Sequence, residues 1–376
     1  MSPEQLADHV ANLPLIDHHV HGVHRGPLGR AGFEQLITES DRPVPPWMST
    51  FDSQLGLAIR RYCAPLLDLD PHASAEDYLA ARAKLDEASL SQLFLGASGV
   101  SDYLVDTGYQ GDAVTGVDEL ARLSDAHAHE VVRLESELEY VVSHESTVTA
   151  VPDAFVRRLE QRTAGAVGLK SIVAYRHGFD FDPAEPSSAD VLTALDRWYA
   201  SGETGRVTDP VLLRWLLWTG VRRGLPLQLH VGFGDTDLQL RSADPLLLTE
   251  WLRQIEPLGT QVVLLHCYPF HREAGYLAHV FPHVSFDLGL TTMYVGARAA
   301  AVLAEGLELA PFAKLLYSSD AFGPAELHFL GATLWRRAVS SVLGGFVEQG
   351  DWSEVDAARV ATLWGRENAA RLYGIG

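Results

Sequence analysis

Only two cysteines, Cys63 and Cys267, occur in 376 residues, too few for a disulfide framework, which points to a reducing compartment. Basic residues are scarce as well. Lys and Arg total 29 against 49 Asp and Glu, a formal net charge of −20. A phosphate backbone attracts a basic face, so this balance argues against a nucleic-acid partner. No apolar run is long enough to cross a bilayer, so no membrane partner is expected. The opening Met1-Ser2-Pro3-Glu4-Gln5 lacks the basic and apolar regions of a signal peptide. The expectation is a soluble cytoplasmic protein acting on a small molecule. No glycine-rich phosphate loop follows an early strand, which argues against a doubly wound open sheet. Repeats, low-complexity tracts and flexible linkers are missing too, so residues 1–376 read as a single domain. A homo-oligomer is compatible with the composition, although no segment marks an interface.

What is present is an ordinary apolar content of 47% with 21% charged residues, enough for a sizeable core. Short apolar runs alternate with helical patterns. The strand candidates are Leu13–His21, Asp102–Gly108, Val131–Glu135, Val167–Tyr175, Leu225–Val231, Gln261–Cys267, Val284–Leu288 and Leu315–Ser319. Helical stretches such as Val117–His129, Pro210–Arg223, Pro245–Ile255 and Glu326–Leu343 lie between them. Eight strands with intervening helices predict an α/β fold, a (β/α)8 TIM barrel whose active site lies at the C-terminal strand ends. Residues 22–94 break the rhythm, being far longer than one βα connection requires. Within them Arg42–Trp47 reads as a proline-rich loop, and Leu55–Leu67 and Ala75–Leu85 as helices. This helical insertion after strand 1 is expected over the catalytic face.

The chemistry concentrates at strand ends. In Asp17-His18-His19-Val20-His21, alternation turns Asp17, His19 and His21 to one face and His18 to the other. The runs Leu225–His230 and Gln261–His266 each end in histidine, and Lys314–Asp320 ends in aspartate. Singly, each is more often a helix cap or a hydrogen-bonded core residue. Five ligand-type residues on four strand ends instead suggest a transition-metal site. Imidazoles and a carboxylate suit Zn2+, with Fe2+, Mn2+ or Co2+ as alternatives, as one or two ions. A divalent metal lowers the pKa of a bound water to roughly 7, and an adjacent aspartate can accept its proton.

These motifs resemble the amidohydrolase superfamily, whose His-x-His of strand 1, strand-5 and strand-6 histidines and strand-8 aspartate look like His19, His21, His230, His266 and Asp320. The segment Asn368–Gly374 is similar to that family's C-terminal helix. The segments Lys170-Ser171, Tyr175-Arg176, His230–Asp235 and His266–Phe270 look closest to the amidohydrolase domain that fungal FluG proteins fuse to a glutamine-synthetase-like domain. These 376 residues carry no such synthetase region. The resemblance implies that His19, His21 and His230 hold metal and that Asp320 is both ligand and proton shuttle. It further implies that His266 binds a second metal or polarises the substrate. Lys170 is the candidate for a carboxylated bridge. It falls level with the strand-end histidines if strand 4 starts at Gly165, and deeper if the strand starts at Val167.

Arg176, on the face of Lys170 by period two, is a candidate clamp for a substrate carboxylate or phosphate, with a rim ion pair as the alternative. Tyr268 is a candidate substrate contact, as is His271. His177 faces away on this register, and Asp235 and Asp237 read as turn residues. Cys267 reads as core. The expected function is metal-dependent hydrolysis of a C–N (amide) bond in a small carboxylate-bearing molecule. A metal-dependent non-oxidative decarboxylase is the alternative, and a non-catalytic binding module stands behind both.

Overall fold

The computed structural model describes residues 3–202 and 205–376; Met1 and Ser2, which open the stretch read above for a signal peptide, and Glu203 and Thr204 lie outside the described residues. Eight strands form one sheet in sequence order: β1 (Leu15–Val20), β2 (Val100–Asp106), β3 (His127–Arg133), β4 (Gly168–Ser171), β5 (Leu227–Val231), β6 (Val262–His266), β7 (Val284–Asp287) and β8 (Leu315–Leu316). β1 pairs with β2, β3 with β4, β4 with β5, β5 with β6 and β6 with β7, all in parallel, and helices separate the strands, so the connectivity is that of a (β/α)8 barrel. No helix among the described residues is long and apolar enough to cross a membrane. The contacts group into two compact units, Met1–His129 with Asp287–Gly376, and Glu130–Phe286.

In the first unit the segment after β8 runs beside β1. The amide of His18 donates to the Tyr317 carbonyl (3.2 Å), Asp320 to His19 (3.0 Å) and His21 to Ala321 (2.9 Å). β1 is buried along its whole length. The long connection from β1 to β2 contains Arg30–Gln35, Gln54–Ala58, a π-helical turn Ile59–Cys63, a 3-10 turn Ala64–Leu67 and Ala75–Arg82. Ser53 and Ser74 cap two of these helices, accepting from the amides of Gly56 and Asp77. The last helix, Glu87–Ser98, packs against Ala325–Glu348 and Val117–Ser124 and leads straight into β2. This packing makes it the helix that precedes β2 in the barrel.

In the second unit, β4 is shorter than its sequence suggests. Extended structure stops at Ser171 and a single helical turn, Val173–Arg176, follows. The cause is the buried carboxylate of Glu135. Its Oε1 accepts from the Ser171 hydroxyl (2.6 Å) and the Ile172 amide (3.0 Å), and so bends the chain out of the sheet. The strand register is Arg133 with Lys170, Lys170 with Gln228, and His230 with Leu265.

Candidate metal centre

The first unit brings together four ligand-type side chains. Strand alternation and the β8 backbone bonds place His19 and His21 so that their Nε2 atoms lie 3.1 and 3.4 Å from one oxygen, Asp320 Oδ1. Their rings meet edge to face with centroids 5.2 Å apart. Asp320 sits in the left-handed backbone region, φ 52°, which turns its side chain back toward β1. His19, His21 and Asp106 also offer ligand atoms within 4.8 Å of one another, and all three are buried.

The hydrogen bonds decide what this cluster is. Nδ1 of His21 donates to the Asp106 carbonyl at 3.2 Å, which leaves the lone pair on Nε2. That lone pair points at a carboxylate oxygen 3.4 Å away. Two electron-rich atoms held face to face in a buried site repel unless a cation lies between them or the imidazole is protonated. Nitrogen and carboxylate donors in this number suit a divalent transition metal, so the residues fit the ion that the sequence implies.

Asp106 escaped the sequence reading. It is the last residue of β2, in Leu104-Val105-Asp106, the same strand-end signal that marks Asp320. Its Oδ1 accepts from the Gly108 amide at 2.9 Å, which fixes the carboxylate at the strand mouth. A second unforeseen contact comes from the β1–β2 excursion. The buried Tyr294 hydroxyl lies close to Glu39, and burial together with the charges of Glu39 and Asp320 pushes that hydroxyl well above the usual tyrosine range. No local pattern couples two positions so far apart in the chain.

Two neighbours in β1 are structural. His18 points away from the cluster, its Nε2 2.8 Å from Asp287 Oδ2 and its Nδ1 3.1 Å from the Tyr373 hydroxyl. Asp17 is fully buried and accepts from the Ser319 amide at 2.9 Å. Burial pushes its carboxyl up to about 8, from 3.8. The folded state therefore holds this proton more tightly than the unfolded chain. The contribution to stability is complete below about pH 4 and is lost as pH rises toward about 8. Asp17→Asn is expected to fold and to flatten the loss of stability across that window, read as the melting temperature against pH; an unchanged profile would assign the slope to another group.

The second unit holds the other two histidines at strand ends. His230 and His266 have ring centroids 4.8 Å apart. Nε2 of His230 donates to the Phe233 carbonyl at 3.1 Å, so Nδ1 is its ligand atom. Tyr175 lies against the His230 ring at 4.5 Å. Gly234 makes room for it, since a Cβ there would fall 2.0 Å from the Tyr175 hydroxyl oxygen. Cys267 is buried and its thiol donates to the Leu264 carbonyl, a packing role. Tyr268 is partly exposed and stacks on His271, with ring centroids 5.9 Å apart.

Lys170 takes the deeper of its two expected positions. It registers with Gln228, two residues before His230, or about 7 Å further from the strand end. A carboxylated bridge has to meet its metals at the level of the histidines. Lys170→Met is accordingly expected to leave metal stoichiometry unchanged by elemental analysis, whatever it does to stability; loss of one ion per chain would restore the bridge. The expected position of Arg176 needs correction. It does not share a strand face with Lys170, because β4 has already ended and Arg176 lies on the following helical turn. There it forms an ion pair with Glu139 at 3.1 Å, and Glu139 also accepts from the Val207 amide at 2.9 Å. Burial holds the Arg176 guanidinium below its usual value, and Arg206 and Arg133 act in the same direction.

Known proteins bear on these features. Over 98% of this chain and 97% of its own, a crystal structure from Lactobacillus casei, described as that of a candidate metal-dependent hydrolase, superposes with a TM-score of 0.85 at 30% identity. A uronate isomerase from Bacillus halodurans shares the fold, with a TM-score of 0.65 at 15% identity over 100% of this chain and 96% of its own. Protein fluG of Emericella nidulans is 29% identical over 406 aligned residues, covering 96% of this chain and 45% of its own length. The present chain thus spans about half the length of that curated relative. The amidohydrolase family model matches residues 145–375, well over half of the chain, and this protein belongs to the amidohydrolase family.

Proposed function

We propose that this protein hydrolyses a C–N (amide) bond in a small carboxylate-bearing molecule, using one divalent metal such as zinc. The observation that carries the proposal is the convergence of His19 Nε2 and His21 Nε2 on Asp320 Oδ1. His19, His21 and Asp320 hold the metal in this reading, with Asp106 beside them. His230 and His266 supply the further donor and the carbonyl-polarising group that the family resemblance implies.

When bound, the metal supplies an acidified water and a Lewis acid for the scissile carbonyl. The remaining work falls to the protein. Asp320 takes the proton of the attacking water on its carboxylate and hands it to the departing nitrogen, which cannot leave as an anion. The Asp106 carbonyl holds His21 in the tautomer that presents Nε2. In this reading the β1–β2 excursion serves as a cover that limits the access of water, a role supported by the nearness of its Glu39 to Tyr294.

Two measurements test the reading together. Metal content on protein purified without chelators is expected near one divalent ion per chain. A panel of amides of small carboxylic acids is expected to release ammonia or amine. Carbon dioxide released from a carboxylate substrate without any amide turnover would replace the hydrolase with a decarboxylase. Absence of metal even after reconstitution would remove the basis of both.

A further inference from the structure

His21 is held at three places besides the nitrogen that faces Asp320. Its amide donates to the Ala321 carbonyl at 2.9 Å, and its Nδ1 donates to the Asp106 carbonyl at 3.2 Å. The third tie is to its own carbonyl. β1 ends at Val20, so this carbonyl lies past the strand, and a buried carbonyl there needs a donor from elsewhere. The donor is His328, whose Nε2 stands 3.2 Å from the His21 oxygen, with both residues buried.

The direction of this bond is fixed, since a carbonyl oxygen only accepts. His328 therefore carries its proton on Nε2 and its lone pair on Nδ1. That Nδ1 is buried and has no hydrogen-bond partner among the described residues. The ring lies edge-on to Tyr103, with centroids 6.0 Å apart. If His328 only filled space, leucine or methionine would do so without burying an unused nitrogen. Burial also pushes the imidazole down to about 4, from 6.5, so the ring is neutral and adds no charge to the ligand cluster.

What His328 contributes is geometry. It is the fourth residue of the helix Ala325–Glu348, which packs against Pro3–Asn12, Glu87–Ser98 and Ala299–Gly306. The bond thus ties His21 to a long, buttressed element. The chain beyond is held as well, because a Cβ on Gly22 would fall 2.1 Å from the Thr115 carbonyl oxygen. We propose that His328 is a positioning residue for the metal centre, its bond to the His21 carbonyl setting the β1 end so that His21 Nε2 faces Asp320 Oδ1. A ring pre-set in this way loses little freedom when metal arrives, whereas a ring free to swing has to be ordered first. The role rests on the metal-ligand part of the function proposed above, and on no particular bond being broken.

The test is made on the full chain, stripped of metal and titrated with Zn2+ against a competing chelator. Wild-type protein is compared with His328→Met, His328→Gln and His328→Asn. Methionine keeps apolar volume and gives up the donor. Glutamine returns an amide donor near the reach of Nε2, and asparagine carries the same amide one carbon short. His328→Met and His328→Asn are expected to weaken zinc affinity about 10- to 100-fold, and His328→Gln to stay within about threefold of wild type. This order should not follow the melting temperatures of the metal-free proteins, as it would if the ring only supported packing. Zinc affinity of His328→Met within about threefold of wild type would overturn the role, as would equal losses in His328→Gln and His328→Asn. If His328→Met fails to fold, the glutamine and asparagine variants decide, since they differ only in reach. Nitrogen-15 NMR of metal-free wild-type protein gives a reading that needs no variant to fold. It should find His328 protonated on Nε2, and a proton on Nδ1 alone would overturn the role. Failure of wild-type protein to bind zinc would remove the metal centre and this role with it. Zinc affinities in the expected order without any amide turnover would sink the hydrolase reading and keep His328 in place.

Discussion

Asp320→Asn is expected to leave the fold intact and lower turnover by about 10²- to 10⁴-fold at saturating metal. The backbone tolerates the change. Asp320 has φ 52°, and asparagine enters the left-handed region as readily as aspartate. Its amide still donates to His19, so the β8 segment stays against β1. What disappears is a carboxylate able to take a proton from water and return it to nitrogen. The loss should fall on kcat, because the group acts between ground state and transition state rather than on substrate binding. The acidic limb of the pH–rate profile should vanish along with it. Circular dichroism and metal content establish that folding and loading survive. An unchanged kcat in a loaded, folded variant would deny Asp320 the proton-transfer role and leave it as a ligand alone.

The parts of this architecture legible in the sequence are those set by local pattern. All eight strands were placed, because buried parallel strands are short apolar runs and each of these runs is bounded by polar or turn residues. Errors arose where a tertiary contact ends an element. Ile172-Val173-Ala174-Tyr175 is as strand-like as the residues before it, and only the Glu135 carboxylate, from a different βα unit, stops β4 at Ser171. That one contact moved Arg176 off the strand face. The start of β3 was obscured for the opposite reason. His127-Ala128-His129-Glu130 is polar and partly exposed, so the sequence showed only the buried half of the strand and lent the rest to the preceding helix. In the structure Asp125, with φ 54°, ends that helix at Ser124.

The candidate site follows the same division. His19, His21 and Asp320 were recoverable because strand period and strand ends are sequence properties. Asp106, the last residue of β2, carries that signal too. The contact between Glu39 and Tyr294, and the side-by-side placement of Arg133 and Lys170, depend on register and packing. No window of sequence contains them.

The adjacent pair His18 and His19 offers the sharpest separation of structure from function in this chain. His19→Ala is expected to cost at least about 100-fold in metal affinity and to abolish turnover, with little change in melting temperature of the metal-free protein. One of the two imidazoles aimed at Asp320 Oδ1 is gone, and the repulsion between that oxygen and the imidazole nitrogens is partly relieved. His18→Ala should do the opposite. It strands the Asp287 carboxylate, 2.8 Å from His18 Nε2 and fully buried, and removes the bond to Tyr373 in the C-terminal helix. Removing one partner of a buried pair costs about 3 kcal/mol, since the remaining charge keeps its desolvation penalty without its partner. The melting temperature should therefore fall, while protein held below it still binds metal. Elemental analysis and thermal denaturation on the two variants are sufficient. Metal loss in His18→Ala at a temperature where it remains folded, or metal retention in His19→Ala, would place the ligand face of β1 on the wrong side of the strand.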